Sequence, residues 1–147
     1  MTAAGDPTVI GVIAVHATDV VTALEANERD LDGKQSVLRI TPPYSGRMRA
    51  RLHREGHEEY DPSDGPIHVA PTDLVDNPPT FPRPDDTEDE LRADPDREYS
   101  RERHREYHER RVAEWRAIVR DRIVDVMTLR TGDGPVEVSV SALGGER

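Results

Sequence analysis

Seven consecutive residues constrain this chain more than any others. Arg47-Met48-Arg49-Ala50-Arg51-Leu52-His53 alternates basic and apolar without a break. A period of two matches a strand with one buried and one solvated face, and no helix. Met48, Ala50 and Leu52 are expected to point inward, and Arg47, Arg49, Arg51 and His53 outward. Before the run lies Pro42-Pro43-Tyr44-Ser45-Gly46, a turn by composition. Before the turn, residues 36–41 (Ser-Val-Leu-Arg-Ile-Thr) read as a second strand. The loop is short enough for an antiparallel hairpin, in which Arg39 joins the basic face.

Charge makes this run stand out. The 147 residues carry a formal net charge of -10, yet residues 34–57 hold six basic side chains against Glu55 alone. Basic residues number 20 against 30 acidic, and every basic residue except Lys34 is Arg. An acidic chain nearly free of Lys suits a salt-in halophilic proteome. At molar salt the Debye length is about 3 Å, so only direct contact pairs count there. Three Arg on one strand face, repeating about every 6.6–6.8 Å, suit successive phosphates or carboxylates. The planar guanidinium fork favours bidentate contact. Tyr44 could stack on a base, and Ser45 and Gly46 offer backbone N–H groups to an anion. The candidate ligand-binding set is therefore Arg39, Tyr44, Ser45, Gly46, Arg47, Arg49, Arg51 and His53. The competing expectation is internal: the same Arg pair with the chain's own acids.

The remaining chain supplies a small core. Only 34% of residues are hydrophobic, below the usual share of about 45–50%. Residues 8–15 read as a buried β-branched strand. Thr18 reads as the cap of a helix running to about residue 29, with Asp19 in its first turn, and Asp32-Gly33 as the turn that ends it. Residues 58–96 hold thirteen acids against Arg83 and Arg92, a net of -11, and many prolines. This segment is expected to be extended, with a short strand at 67–69, one helical turn at 72–76 and a capping box at Thr87-x-x-Glu90.

A long helix is expected from Asp94-Pro95 or Ser100 to about Met127 or Leu129. Its first half is almost wholly charged. Its second half carries a stripe of Val112, Trp115, Val119, Ile123 and Val126. His104 and His108, four apart, share the stripe's side, but His-Arg-Glu-Tyr-His lacks the metalloprotease arrangement, and no metal site is assigned. Asp133-Gly134-Pro135 is a turn, and residues 136–140 form a closing strand.

These elements define an α+β fold. A small mixed or antiparallel sheet with a β-hairpin is covered by one short and one long helix, in a single domain spanning 1–147. With no Cys, disulfides, thiolate zinc sites and Cys nucleophiles are excluded. No apolar run is long enough to cross a membrane, and no basic residue precedes the apolar 9–15, so a cytoplasmic location is expected. No glycine-rich phosphate loop or Gly-x-Ser-x-Gly is present, and neither a catalytic residue nor a cofactor is assigned.

Three strings, Thr-Pro-Pro-Tyr-Ser-Gly-Arg-Met-Arg-Ala-Arg-Leu-His (41–53), Asp-Asp-Thr-Glu-Asp-Glu-Leu-Arg (85–92) and Arg-Val-Ala-Glu-Trp-Arg (111–116), resemble a haloarchaeal family of unknown function. The resemblance covers most of the chain and implies one domain; it supplies no activity. The functional expectation is a non-enzymatic binding module that uses the Arg-rich face for RNA or another phosphate-bearing ligand. The alternative is a protein-interaction adaptor or homo-oligomer using the charged helix 97–129.

Overall fold

A computed structural model describes residues 5–29, 35–55 and 65–144. The expected turn at Asp32-Gly33, His57, and the acidic residues of 58–64 lie outside the described residues. The fold is α+β; the described residues form three α-helices, a four-stranded mixed sheet and a three-stranded antiparallel sheet.

The strands are β1 (Val12–His16), β2 (Ser36–Ile40), β3 (Arg47–Arg49), β4 (Arg51–Arg54), β5 (Ile67–Val69), β6 (Val126–Thr131) and β7 (Gly134–Leu143). The helices are α1 (Ala17–Arg29), α2 (Pro84–Ala93) and α3 (Arg101–Asp121). One sheet runs β3-β1-β7-β6, and the other β4-β2-β5. β1 is parallel to both its neighbours, while β6 and β7 form an antiparallel hairpin.

The helices lie on one side. Val20, Val21, Ala23 and Leu24 of α1 and Val112, Trp115 and Val119 of α3 share one buried cluster with Ile13, Val15, Leu38, Ile40, Ala50 and Val138. Phe81 meets Trp115 edge to face at 5.0 Å between ring centroids. The Trp115 indole N–H donates to Pro79 O at 3.0 Å, so its one polar atom is satisfied inside the core. Two backbone bonds, Val124 N to Leu74 O (2.9 Å) and Asp76 N to Arg122 O (2.7 Å), join the segment after β5 to the segment before β6. That contact covers two ends that would otherwise offer unpaired peptide groups. Among the described residues, no helix is long and apolar enough to cross a membrane.

Several boundaries depart from expectation for identifiable reasons. Thr8 and Val9 belong to a 3-10 turn, Pro7–Val9, not to the first strand. The Asp6 carboxylate accepts the Thr8 N–H there, and Pro7 presets the turn. α1 begins at Ala17, which places Thr18 inside the helix rather than at its cap. α3 starts at Ser100, whose Oγ accepts the Arg103 N–H at 3.1 Å. It stops at Asp121, well short of Leu129. Ile123 instead bridges to Val75, and Val126 enters β6 as the partner of Ser139.

The Pro-rich segment contains α2, a ten-residue helix. Pro84 occupies its first turn, where a missing N–H costs nothing, and Asp85 and Asp86 follow where the helix dipole favours anions. Thr87 is not a cap; it is fully buried against α3.

Candidate functional site

The basic run holds the two sheets together. The Ala50 N–H donates to Ala14 O at 2.9 Å, so even-numbered residues of the run turn their peptide groups toward β1. The Glu55 N–H donates to Gln35 O at 2.7 Å, so odd-numbered ones face β2. Successive strand residues bond to opposite edges, so β1 and β2 flank the run on opposite sides. The expected hairpin is therefore half formed. β2 pairs antiparallel with β4, placing Arg39 opposite Arg51 and Val37 opposite His53. β3 instead pairs in parallel with β1, placing Arg47 beside Val12 and Arg49 beside Ala14. A hairpin would need all of 47–53 to oppose 36–41, but β1 takes the first half.

Alternation and register then fix one face. Arg47, Arg49, Arg51 and His53 line it along the central run. Arg39 and then His68 extend it across β2 and β5. Ser139 and Ser141 extend it the other way, past Val12 and Ala14. The helices cover the opposite face, where Ala50 is fully buried and Met48 packs on the core. Leu52 also points to that side, yet is 40% exposed, so the inward expectation holds for two of the three apolar residues.

Arg47 and Arg51 are exposed, while Arg39, Arg49 and His53 are half-buried. The Arg39 guanidinium donates to His53 Nδ1 at 3.2 Å. The His53 and His68 rings lie 5.3 Å apart, and His68 Nδ1 is 2.6 Å from the Glu55 carboxylate. The Nε atoms of Arg39 and Arg49 are buried without a hydrogen-bond partner. A buried unpaired donor costs about 1–3 kcal/mol, a cost that core packing gives no reason to keep. Among the described residues, no carboxylate lies within ion-pair distance of Arg39, Arg47, Arg49 or Arg51.

The turn residues are more occupied than expected. The Tyr44 hydroxyl donates to Gly65 O at 3.2 Å, and its ring packs against the core. Ser45 N–H points at Met48 Sδ (3.3 Å), and its hydroxyl donates to Arg47 O (3.0 Å). Gly46 O accepts from both Gly11 and Val12. Tyr44, Ser45 and Gly46 thus anchor the start of the basic run. His68, Ser139 and Ser141 were absent from the expected set. His68 is flanked by Ile67 and Val69, which carried the same alternation signal on a shorter strand.

Apart from Glu55, the described acids that form ion pairs do so away from this face. Glu25 accepts from Arg116 at 2.8 Å and from Arg29, and the Arg116 hydrogen bond is the main force holding its carboxyl below the usual range. Glu90 accepts from Arg111 and Tyr107, with the Arg111 bond lowering it most. Arg83 pairs with Glu28. Within α2, Glu88 pairs with Arg92, Asp86 accepts the Arg83 N–H, and Glu90 binds α3, not the basic face. His104 and His108 meet the Thr87 hydroxyl at 2.9 Å each. Among the described residues, no three His, Asp or Glu side chains gather closely enough to hold a metal ion.

No curated protein and no solved structure matches the chain. The model of a family described as a domain of unknown function, DUF8009, matches residues 1–144, and the chain belongs to that family.

Proposed function

We propose that this protein is a binding module for a phosphate-bearing ligand, RNA in the first instance, which it grips through the open sheet face. One observation carries the reading. In a chain of net charge -10, four arginines share one solvent-facing sheet surface without a carboxylate partner among the described residues. Strand periodicity spaces Arg47, Arg49 and Arg51 about 6.6–6.8 Å apart, a reach that suits successive backbone phosphates. With Tyr44 engaged, the described face offers no aromatic platform, so recognition rests on phosphate contact rather than base stacking.

The test is filter binding of a single-stranded ribo-oligonucleotide in molar KCl. The variant carrying Arg47→Ala, Arg49→Ala and Arg51→Ala together should lose retention while keeping its circular dichroism spectrum. Unchanged retention would overturn the reading. A protein partner on the charged half of α3 has less support, because α2 already occupies that half through Thr87 and Glu90.

A further inference from the structure

The four arginines are not equivalent. Arg47 and Arg49 stand one per strand position, each beside an uncharged neighbour on β1, Val12 or Ala14. Arg39 and Arg51 stand directly opposite one another across the β2–β4 ladder. The bond from Glu55 N to Gln35 O fixes 39 and 51 as a hydrogen-bonded pair, with Cα atoms about 5.5 Å apart. Like charges in directly opposed positions destabilise a sheet, and no described carboxylate relieves these two. Glu55, a described carboxylate on the neighbouring strand end, is taken by His68. Arg39 is further held by its bond to His53, with its Nε buried, so its remaining N–H groups are fixed in place before any ligand arrives.

Two guanidinium groups carried at directly opposed strand positions match a group carrying two negative charges. A phosphodiester carries one, whereas a phosphomonoester carries about 1.5 to 2 near neutral pH and presents three acceptor oxygens. We propose that Arg39 and Arg51 form a subsite for a terminal phosphomonoester, and that Arg49 and Arg47 follow the adjoining diesters along the same strand. This rests on the nucleic-acid reading above and sharpens it: the module recognises the phosphorylated end of a single strand rather than its interior.

The experiment compares ribo-oligonucleotides of about eight residues that bear a 5′-monophosphate, a 3′-monophosphate or neither, titrated against the full chain in molar KCl. One of the two phosphorylated forms should bind about tenfold or more tighter than the unphosphorylated one, the scale of one charge-assisted contact. Arg51→Ala, at an exposed position, should erase that difference, and so should Arg39→Ala. Arg47→Ala should weaken all three forms and keep the difference. If all three forms bind equally and the Arg47, Arg49 and Arg51 triple variant still loses binding, the subsite is wrong and the nucleic-acid reading stands. If none of the three binds, both fall. A preference that survives Arg51→Ala and Arg39→Ala overturns the subsite as well.

Discussion

Thr87 is the residue whose role its sequence position most disguises. It stands in an acidic, proline-flanked stretch, three residues before Glu90, and reads as a helix cap. Instead it is fully buried, and its hydroxyl lies 3.1 Å from Pro84 O and 2.9 Å from both His104 Nε2 and His108 Nδ1. A hydroxyl has one proton. If that proton goes to Pro84 O, both imidazoles must donate to Thr87, which a neutral His108 does as its Nδ1–H tautomer. Burial is the main force lowering the His108 pKa; the charges of His104, Arg29 and Arg111 lower it further, against a smaller opposing effect of Glu109. The native state therefore resists protonating His108, while the unfolded chain takes the proton near its ordinary value of about 6.5. The stability this supplies is full above that value and falls as pH drops below it. We expect urea midpoints to decrease between about pH 7 and 5, and His108→Gln to flatten that decrease. The losses from Glu25 and Glu90, whose carboxyls are held low, begin only near about pH 4.3 and below, so the two windows separate. A midpoint that ignores pH in the upper window would remove His108 from the account.

At the scale of elements, what could be read in advance depended on what each pattern encodes. Alternation in 47–53 encodes which way side chains point, and Arg47, Arg49, Arg51 and His53 do share a face. It does not encode which edge bonds to which strand, so the division of the run between β1 and β2 was invisible. The stripe Val119, Ile123, Val126 satisfies helical spacing by coincidence. The competing signal was β-branched Ile123, Val124 and Val126: the first two meet Val75 and Leu74 in the segment after β5, and Val126 pairs with β7. α2 was hidden by proline density, although Pro84 followed by two aspartates is itself a helix start. Ala50 bears the consequence of the division. It is fully exposed to the core side, with no exposure to solvent, where the run passes from one sheet to the other. Ala50→Leu adds volume where neither sheet can yield, and should cost about 1–3 kcal/mol. Guanidinium denaturation would measure it, and a neutral result would mean that the junction is looser than its burial implies.

At the scale of the whole molecule, the described interhelix ion pairs gather on the helical side. On the helical side Glu25 binds Arg116 and Arg29, Glu28 binds Arg83, and Glu90 binds Arg111. On the open sheet side, Arg39, Arg47, Arg49 and Arg51 have no carboxylate partner among the described residues. A polyanion approaching this protein therefore meets two opposed effects with different ranges. The net charge of -10 repels it at a distance, whereas the arginines attract it at contact. Salt acts on the first more strongly than on the second, since the Debye length shrinks from about 10 Å at 0.1 M to about 3 Å at 1 M. Ordinary nucleic-acid-binding proteins associate more slowly as salt rises, because steering is lost. Here the long-range field opposes association, and salt removes it. We expect the association rate constant for a single-stranded ribo-oligonucleotide to rise, or at least not to fall, between 0.1 M and 1 M KCl. The dissociation rate should rise over the same range, because counter-ions compete for the contact pairs. Stopped-flow fluorescence resolves the two rates. A steep fall in the association rate with salt would mean that the basic face dominates the field well beyond contact distance, and that the acidic body does not set the terms of approach.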